Sequence, residues 1–210
     1  MTSVHHTDVL MTALDASPTD LWSTFFGPMT AAVGSGFRHI VPDGPDHIAF
    51  LLGLFFLSRQ LWPLLWQITL FTVAHSLALG LILYGLPAIP PRMIETAVAL
   101  SIAFIAIENL FSEKPGRWRP WVVFVFGWIH GLAFAHTFSD RPLTRGEIIP
   151  SLFGFNLGVE LGQLVVIGSA LLVFGGAWDQ PWYRHRVAIP ASVVIALSGL
   201  GWAIQRSSMP

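Results

Sequence analysis

Ionisable side chains recur at one depth within the apolar segments of this 210-residue chain. His75 and His130 lie ten and nine residues into two such segments, or about 15 and 14 Å along a helix. Glu160 lies about 18 Å into a third segment, and Asp46 and His47 lie about 18–20 Å before the end of a fourth. A charged side chain in hydrocarbon costs at least about 2.5 kcal/mol, so each one requires a compensating interaction. Their shared depth predicts that these five residues form one site.

The residue types at this depth are typical of a transition-metal site. Imidazole nitrogens and carboxylate oxygens without sulfur suit divalent Ni, Co, Zn, Fe or Mn and argue against Cu(I). The chain has no cysteine, and its five methionines are scattered. We therefore predict a bound divalent transition-metal ion, with nickel, cobalt or zinc as the best candidates. The predicted metal ligands are Asp46, His47, His75, His130 and Glu160.

Other polar residues near these ligands are predicted to assist the same site. Three of them are predicted to be additional ligands or the place where the metal enters: His39, Asp43 and Asn156. Glu95, about one turn into its segment, is predicted to gate the site or to relay protons. Four histidines near or beyond the segment ends are expected not to be ligands: His5, His6, His136 and His185.

Taken singly, these residues also have structural explanations. An isolated histidine in a membrane helix often forms a hydrogen bond between helices. Asp46 is placed to cap a helix that starts beside it, and Glu108 lies where water at the membrane interface can solvate it. The joint occurrence of these side chains at one depth, rather than any one of them, favours the metal site.

The segments that carry these residues are predicted to be membrane-spanning helices. Charged residues make up 11% of the chain, against about 25% in soluble domains. This composition excludes a soluble enzyme and a disordered chain, and a net charge of −1 leaves no basic surface for nucleic acid. A helix needs about 20 apolar residues to span a bilayer. Five stretches meet this requirement: residues 65–86, 92–112, 121–138, 148–174 and 187–205.

The region before residue 65 is predicted to contain a broken helix. The apolar run 48–57 is too short to span a membrane, and the prolines of the segment 42–45 interrupt any helix that precedes it. We predict two half-helices, 22–38 and 46–58, around this interruption. Backbone that is not helical survives at membrane depth only beside protein or a water-filled cavity, so the interruption itself indicates a site.

These elements together predict an all-α, polytopic bundle of about six membrane passes. Residues 1–20 are predicted to be a flexible tail without a secretory signal, and residues 21–206 a single transmembrane domain. Glycines at every fourth position predict close helix packing and offer faces for a homo-oligomer: Gly127, Gly131, Gly154, Gly158 and Gly162. The basic cluster at 114–119 favours an orientation with the N-terminus outside.

Five ordered motifs resemble the HupE/UreJ family of membrane proteins over residues from about 25 to 173. They read GFRHIVPDGPDHIAFLLGLFF, FTVAHSLALGL, IETAVALSIAFIAIENL, FGWIHGLAFA and FGFNLGVELGQL. The resemblance implies a role in hydrogenase or urease maturation, with nickel or cobalt permeases among the members and maturation proteins as partners. The shared motifs contain His39, Asp46, His47, His75, Glu95, Glu108, His130, Asn156 and Glu160, and Glu108 is thereby added to the gating or proton-relay residues. Pro45 together with Pro42 departs from the expected pattern by stiffening the break.

The sequence therefore predicts a divalent transition-metal permease, of nickel or cobalt, in a bacterial inner membrane. Its expected partners are the metal ion and the lipid bilayer, without nucleic acid. One alternative is a membrane-embedded metal-dependent hydrolase, in which three histidines bind the metal and Glu160 acts as the base. A second is a haem carrier with His75 and His130 as axial ligands, and a third is a metal sensor or accessory protein that does not transport.

Overall fold

The computed structural model describes residues 18–87, 89–134 and 143–208, and all regular secondary structure in these ranges is helical. The predicted all-α fold is confirmed. The described residues form seven α-helices: α1 (Pro18–Ile40), α2 (Pro45–Leu57), α3 (Leu61–Leu83), α4 (Pro91–Phe111), α5 (Arg119–Phe134), α6 (Arg145–Phe174) and α7 (Ile189–Ser207). A 3-10 turn, Gly175–Ala177, and a π-helical segment, Arg184–Ala188, connect α6 to α7. The predicted tail lies, up to residue 17, outside the described residues.

Four of these helical segments are long and apolar enough to cross a membrane. They contain α3, α4, α6 and α7, which agree with four of the five predicted spans. The fifth predicted span, 121–138, corresponds to the shorter helix α5, and its last four residues lie outside the described part. Together with the pair α1 and α2, these helices are consistent with about six passes. Many large apolar side chains on the outside of the bundle, such as Leu172 and Ile204, face the position of lipid, as expected of an integral membrane protein.

The predicted break in the first pass is present between α1 and α2. The two helices are bent by 68° relative to each other, and only together are they long and apolar enough to span a membrane. The amide of Asp43 donates to the carbonyl of Arg38 at 3.0 Å and closes the end of α1. Pro45 starts α2 at a position where its missing N–H is not required. Gly44 lies so close to the carbonyl of His39 that a Cβ atom would collide with it, so the turn requires glycine.

The glycines that predict close packing lie between helices of the same chain. Gly154 and Gly158 of α6 face the backbone of α1, and Gly127 and Gly131 of α5 face the backbone of α3. A Cβ atom at any of the four would collide with the facing backbone. These faces are therefore occupied inside the chain and are not free to join two copies. The close packing places the end of α1 beside α6 and the middle of α3 beside α5.

The bundle has two ends, which we call proximal and distal. The proximal end is the one where α4 begins and α7 ends, and the distal end is the one where α4 ends and α5 begins. A contact of Arg206 in α7 with the carbonyl of Glu95 in α4 marks the proximal end. A contact of Arg119 in α5 with Glu108 in α4 marks the distal end.

Candidate metal centre

Three histidines meet at the break between α1 and α2. His39 lies at the end of α1, His47 at the start of α2 and His75 within α3. One ring nitrogen from each lies within 4.8 Å of the others. His39 and His47 would be about 12 Å apart along a continuous helix, but the bend brings their ring centroids to 4.4 Å. We call these three residues the histidine cluster.

His130 of α5 is the fourth imidazole at this place. Its ring centroid lies 5.0 Å from that of His47, and its Nε2 lies 3.0 Å from the hydroxyl of Ser101. The hydroxyl of Ser101 also lies 2.7 Å from the carbonyl of Val98, to which it donates, and in this arrangement Nε2 of His130 is the donor in the other bond. In the neutral ring, Nδ1 is then left with its lone pair. This second hydrogen bond fixes the tautomer in the way that metal-binding histidines are usually fixed.

The ring nitrogens of this group are buried and unsatisfied. Within residues 18–87, 89–134 and 143–208, no hydrogen-bond partner reaches Nε2 of His39, Nε2 of His47, either nitrogen of His75 or Nδ1 of His130. Buried polar atoms are hydrogen-bonded in the large majority of cases, and exceptions require an explanation. A cation that binds imidazole nitrogens would satisfy several of these atoms at once.

Phenylalanine side chains enclose the histidines. Phe134 lies against His39 at a tilt of 48°, with a centroid distance of 3.8 Å, and Phe155 lies 6.3 Å from His75. On the distal side, Phe50 and Phe71 lie 5.3 and 5.1 Å from His130 and are fully buried. The walls are therefore apolar, and the imidazole nitrogens are the polar atoms that a cation would meet there.

A cavity of about 550 Å³ leads from the proximal end to these histidines. Its lining includes His39, His47 and His130 at its inner part and Glu95 at the start of α4. Asp43 also lines the cavity and is exposed, so the cavity reaches the protein surface at the break. The predicted access role of Asp43 and the predicted gating role of Glu95 are compatible with these positions, and both remain predictions.

Asp46 lies at the mouth of the same cavity and is held by an arginine. Both of its carboxylate oxygens accept from Nη2 of Arg206, at 3.0 and 2.8 Å. Nη1 of Arg206 donates to the carbonyl of Glu95 at 3.3 Å. Asp46 is thus next to the histidine cluster in sequence but engaged with α7. Sequence reasoning did not single out Arg206, because it lies at the end of an apolar span, where basic residues are common.

Glu160 and Asn156 are not brought into the cluster. Glu160 accepts from the hydroxyl of Thr69 at 3.1 Å, and Glu160 and Asn156 line a separate groove of about 420 Å³ between α3 and α6. Glu160 lies five residues beyond Phe155, which packs on the cluster, or about 7.5 Å further along α6. Exposed apolar side chains such as Leu77 also line this groove.

Glu108 is placed at the distal end, in a buried polar network. Its carboxylate lies 3.1 Å from Nη1 of Arg119, a side chain that is fully buried. Nη2 of Arg119 and the amide of Asn109 both donate to the carbonyl of Gly53 in α2, at 3.3 and 2.8 Å. Sequence reasoning counted Arg119 only as part of the basic cluster at 114–119. Its position just before Pro120 at the start of an apolar helix was the signal for a buried role.

The remaining histidines are not part of this centre where the structure describes them. His185 is exposed near the distal end, whereas His5, His6 and His136 lie outside the described residues.

Comparison with known proteins agrees with the motif resemblance. A family model described as HupE / UreJ protein matches residues 19–206, which is most of the chain. No curated protein and no solved structure matches the chain.

Proposed function

The chain belongs to the HupE/UreJ family, and from that premise we propose that it carries a divalent transition-metal ion, nickel or cobalt, across a bacterial inner membrane. The observation that supports this proposal is the histidine cluster, whose three ring nitrogens converge within 4.8 Å. The ion is the cargo, and maturation proteins of metalloenzymes are its expected recipients.

The ligand type supports a transition metal. Imidazole suits nickel, cobalt and zinc, whereas magnesium and calcium prefer oxygen ligands. His130 adds a fourth ring whose Nδ1 lone pair is free to bind. The donor set therefore discriminates against the hard cations that are abundant in cells.

The spacing of the nitrogens supports the binding of a single ion. Two nitrogens on one tetrahedral ion lie about 3.4 Å apart, given metal–nitrogen bonds of about 2.1 Å. The cluster nitrogens lie within 4.8 Å of one another, so small movements of the side chains bring all three onto one ion.

The access geometry supports a carrier that exposes one side at a time. The cavity reaches the cluster from the proximal end. Towards the distal end, Phe50 and Phe71 contact each other at 5.0 Å, and the pair of Arg119 and Glu108 lies beyond them. With the N-terminus outside, the orientation that the basic cluster favours, this cavity would open towards the outer side of the membrane.

Hydrolysis is less well supported by the same contacts. A zinc hydrolase needs a carboxylate base beside the metal-bound water. Glu160, the base considered from the sequence, bonds to Thr69 in the separate groove, and Asp46 is engaged by Arg206. An accessory protein that binds metal without moving it is distinguished from a carrier by flux alone.

Nickel uptake by proteoliposomes tests the proposal. Protein is reconstituted with a nickel-sensitive dye inside the vesicles, and the rate of dye response is compared for the unaltered chain and the variant His47→Ala/His75→Ala. His185→Ala is the matched control, because it removes an exposed imidazole outside the cluster. We expect uptake by the unaltered chain and the control, and the rate of empty vesicles for the double variant.

Two outcomes would contradict the proposal. Uptake that persists in the double variant would show that the metal takes another route. Stoichiometric nickel binding without uptake by the unaltered chain would identify a sensor or accessory protein instead.

A further inference from the structure

An ion pair stands at the mouth of the cavity that leads to the histidine cluster. Arg206 of α7 holds both carboxylate oxygens of Asp46 at 3.0 and 2.8 Å, and both side chains line the cavity. The guanidinium also lies over the ring of Trp202, 5.8 Å from its centroid. Asp46 and His47 line the same cavity from the first turn of α2, so an ion that binds this carboxylate enters the space that the first imidazole also lines.

This arrangement places a fixed positive charge on the path of a cation. A guanidinium beside the path repels an approaching cation and occupies the carboxylate that would attract it. The charge therefore opposes passage as long as the pair is intact. A cation that binds the Asp46 carboxylate on its way through the cavity must first displace Arg206.

We propose that Arg206 is a selectivity residue that keeps Asp46 occupied until a transition-metal ion displaces it. This inference rests on the proposed function, because it assigns the control of access to the same site. A transition-metal ion that takes Asp46 from Arg206 goes on to bind the imidazoles of the cluster, and that gain offsets the lost ion pair. Magnesium gains little from imidazole and so cannot offset the loss.

The surroundings of the pair allow it to open. The side chains of Arg206 and Asp46 are 18% and 20% exposed, so water can solvate both when they separate. Arg206 lies in the last turn of α7, and its long side chain can change rotamer without moving the helix. The buried pair of Arg119 and Glu108 at the distal end differs, since those side chains are 0% and 7% exposed. Separation of the distal pair would leave charges without water.

Nickel affinity of the purified protein, measured by calorimetry in detergent, tests the inference. Arg206→Gln removes the competing charge and keeps a polar side chain, so we expect nickel to bind about tenfold more tightly. Asp46→Asn removes the carboxylate for which both cations compete, so adding Arg206→Gln to it should change the affinity less than about twofold. Arg92→Gln is the matched control, because Arg92 is an exposed arginine of the proximal end that does not line the cavity.

Competition by magnesium supplies a second readout that a merely structural role would not change. Millimolar magnesium should weaken nickel binding to Arg206→Gln, whose Asp46 is free, and leave nickel binding to the unaltered chain and to Arg92→Gln unchanged. If Arg206→Gln does not fold, Arg206→Lys replaces it. A lysine keeps the positive charge but lacks the second nitrogen that bonds to the carbonyl of Glu95, so we expect a smaller gain in affinity.

The two sets of results separate this inference from the proposed function. Nickel binding that is equal or weaker in Arg206→Gln, without magnesium competition, would mean that Arg206 only positions Asp46, and the inference would be overturned. Absence of any nickel binding that depends on His47 and His75 would instead refute the metal centre itself.

Discussion

His75 belongs to the histidine cluster, whereas Glu160 of α6 lies outside it. Substitutions of these two residues should therefore affect nickel binding differently. His75→Ala removes a ring that is 1% exposed and whose two nitrogens have no partner among the described residues. Glu160→Gln alters a side chain that bonds to Thr69 in the separate groove. We expect the first substitution to impair nickel binding strongly and the second to change it by less than about threefold.

The size of the loss follows from the surrounding imidazoles. Removing a residue that only supports a metal ligand typically costs about 10–100-fold in affinity. Loss of a ligand itself should therefore cost at least about 100-fold, or about 2.7 kcal/mol. His130 lies 5.0 Å from His47 and can partly replace the missing ring. This replacement keeps the expected loss near 100-fold instead of abolishing binding.

The assay must separate loss of a ligand from loss of packing. Replacing a buried side chain by alanine destabilises a core by about 2–5 kcal/mol. Leu79→Ala is the matched control, because Leu79 is fully buried one turn further along α3 and has no ligand atom. Nickel dissociation constants from competition with a chromogenic chelator, together with thermal melting in detergent, are compared for the three variants and the unaltered chain.

The reasoning is refuted by either of two results. A loss of affinity in Glu160→Gln as large as that in His75→Ala would place the carboxylate in the metal site. An equal loss in Leu79→Ala would show that the effect of His75→Ala is one of packing.

Three further substitutions test how the fold holds the centre. Ser101→Ala removes the acceptor that fixes the tautomer of the fourth imidazole, so nickel affinity measured by the same competition should fall about tenfold; an unchanged affinity would argue against that ring as a ligand. Gly158→Val should lower the melting temperature and abolish nickel binding, because its side chain would collide with the α1 backbone, whereas Gly168→Val faces open space and should be tolerated. Arg119→Gln leaves the buried carboxylate of Glu108 without its ion partner and should destabilise the protein by about 3 kcal/mol. Adding Glu108→Gln should recover part of this loss in thermal melting, and no recovery would mean that the contact with the α2 carbonyl dominates.

The elements of this fold could be predicted from the sequence because they depend on local properties. Long apolar stretches specify the spanning helices in lipid, where every backbone group must be satisfied within the segment. The two prolines at 42 and 45 specify the break, because neither can continue a helix. The glycine spacing predicts close packing, and the structure confirms it between α1 and α6. The partner of each glycine face could not be predicted, since the spacing is the same for packing within a chain and between chains.

At the candidate metal site, the sequence predicts some properties of the ligands, and tertiary packing decides the others. Counting residues from the ends of the apolar segments grouped Glu160 with His75 at one depth and left His39 at the margin. The structure instead places Glu160 about 7.5 Å further along α6 than Phe155, which packs on the cluster. The direction in which a side chain points around the bundle depends on which face of the helix packs inward. In α6 the glycine face packs on α1, which turns Glu160 towards the groove with Thr69. The bend of 68° at the break brings His39 onto His47, and only contacts between helices distant in sequence decide that angle. The sequence by itself thus determined which segments are long and apolar enough to span a membrane, because that depends on local composition. The packing of the helices decided the level and the direction of each side chain, and therefore which of them meet.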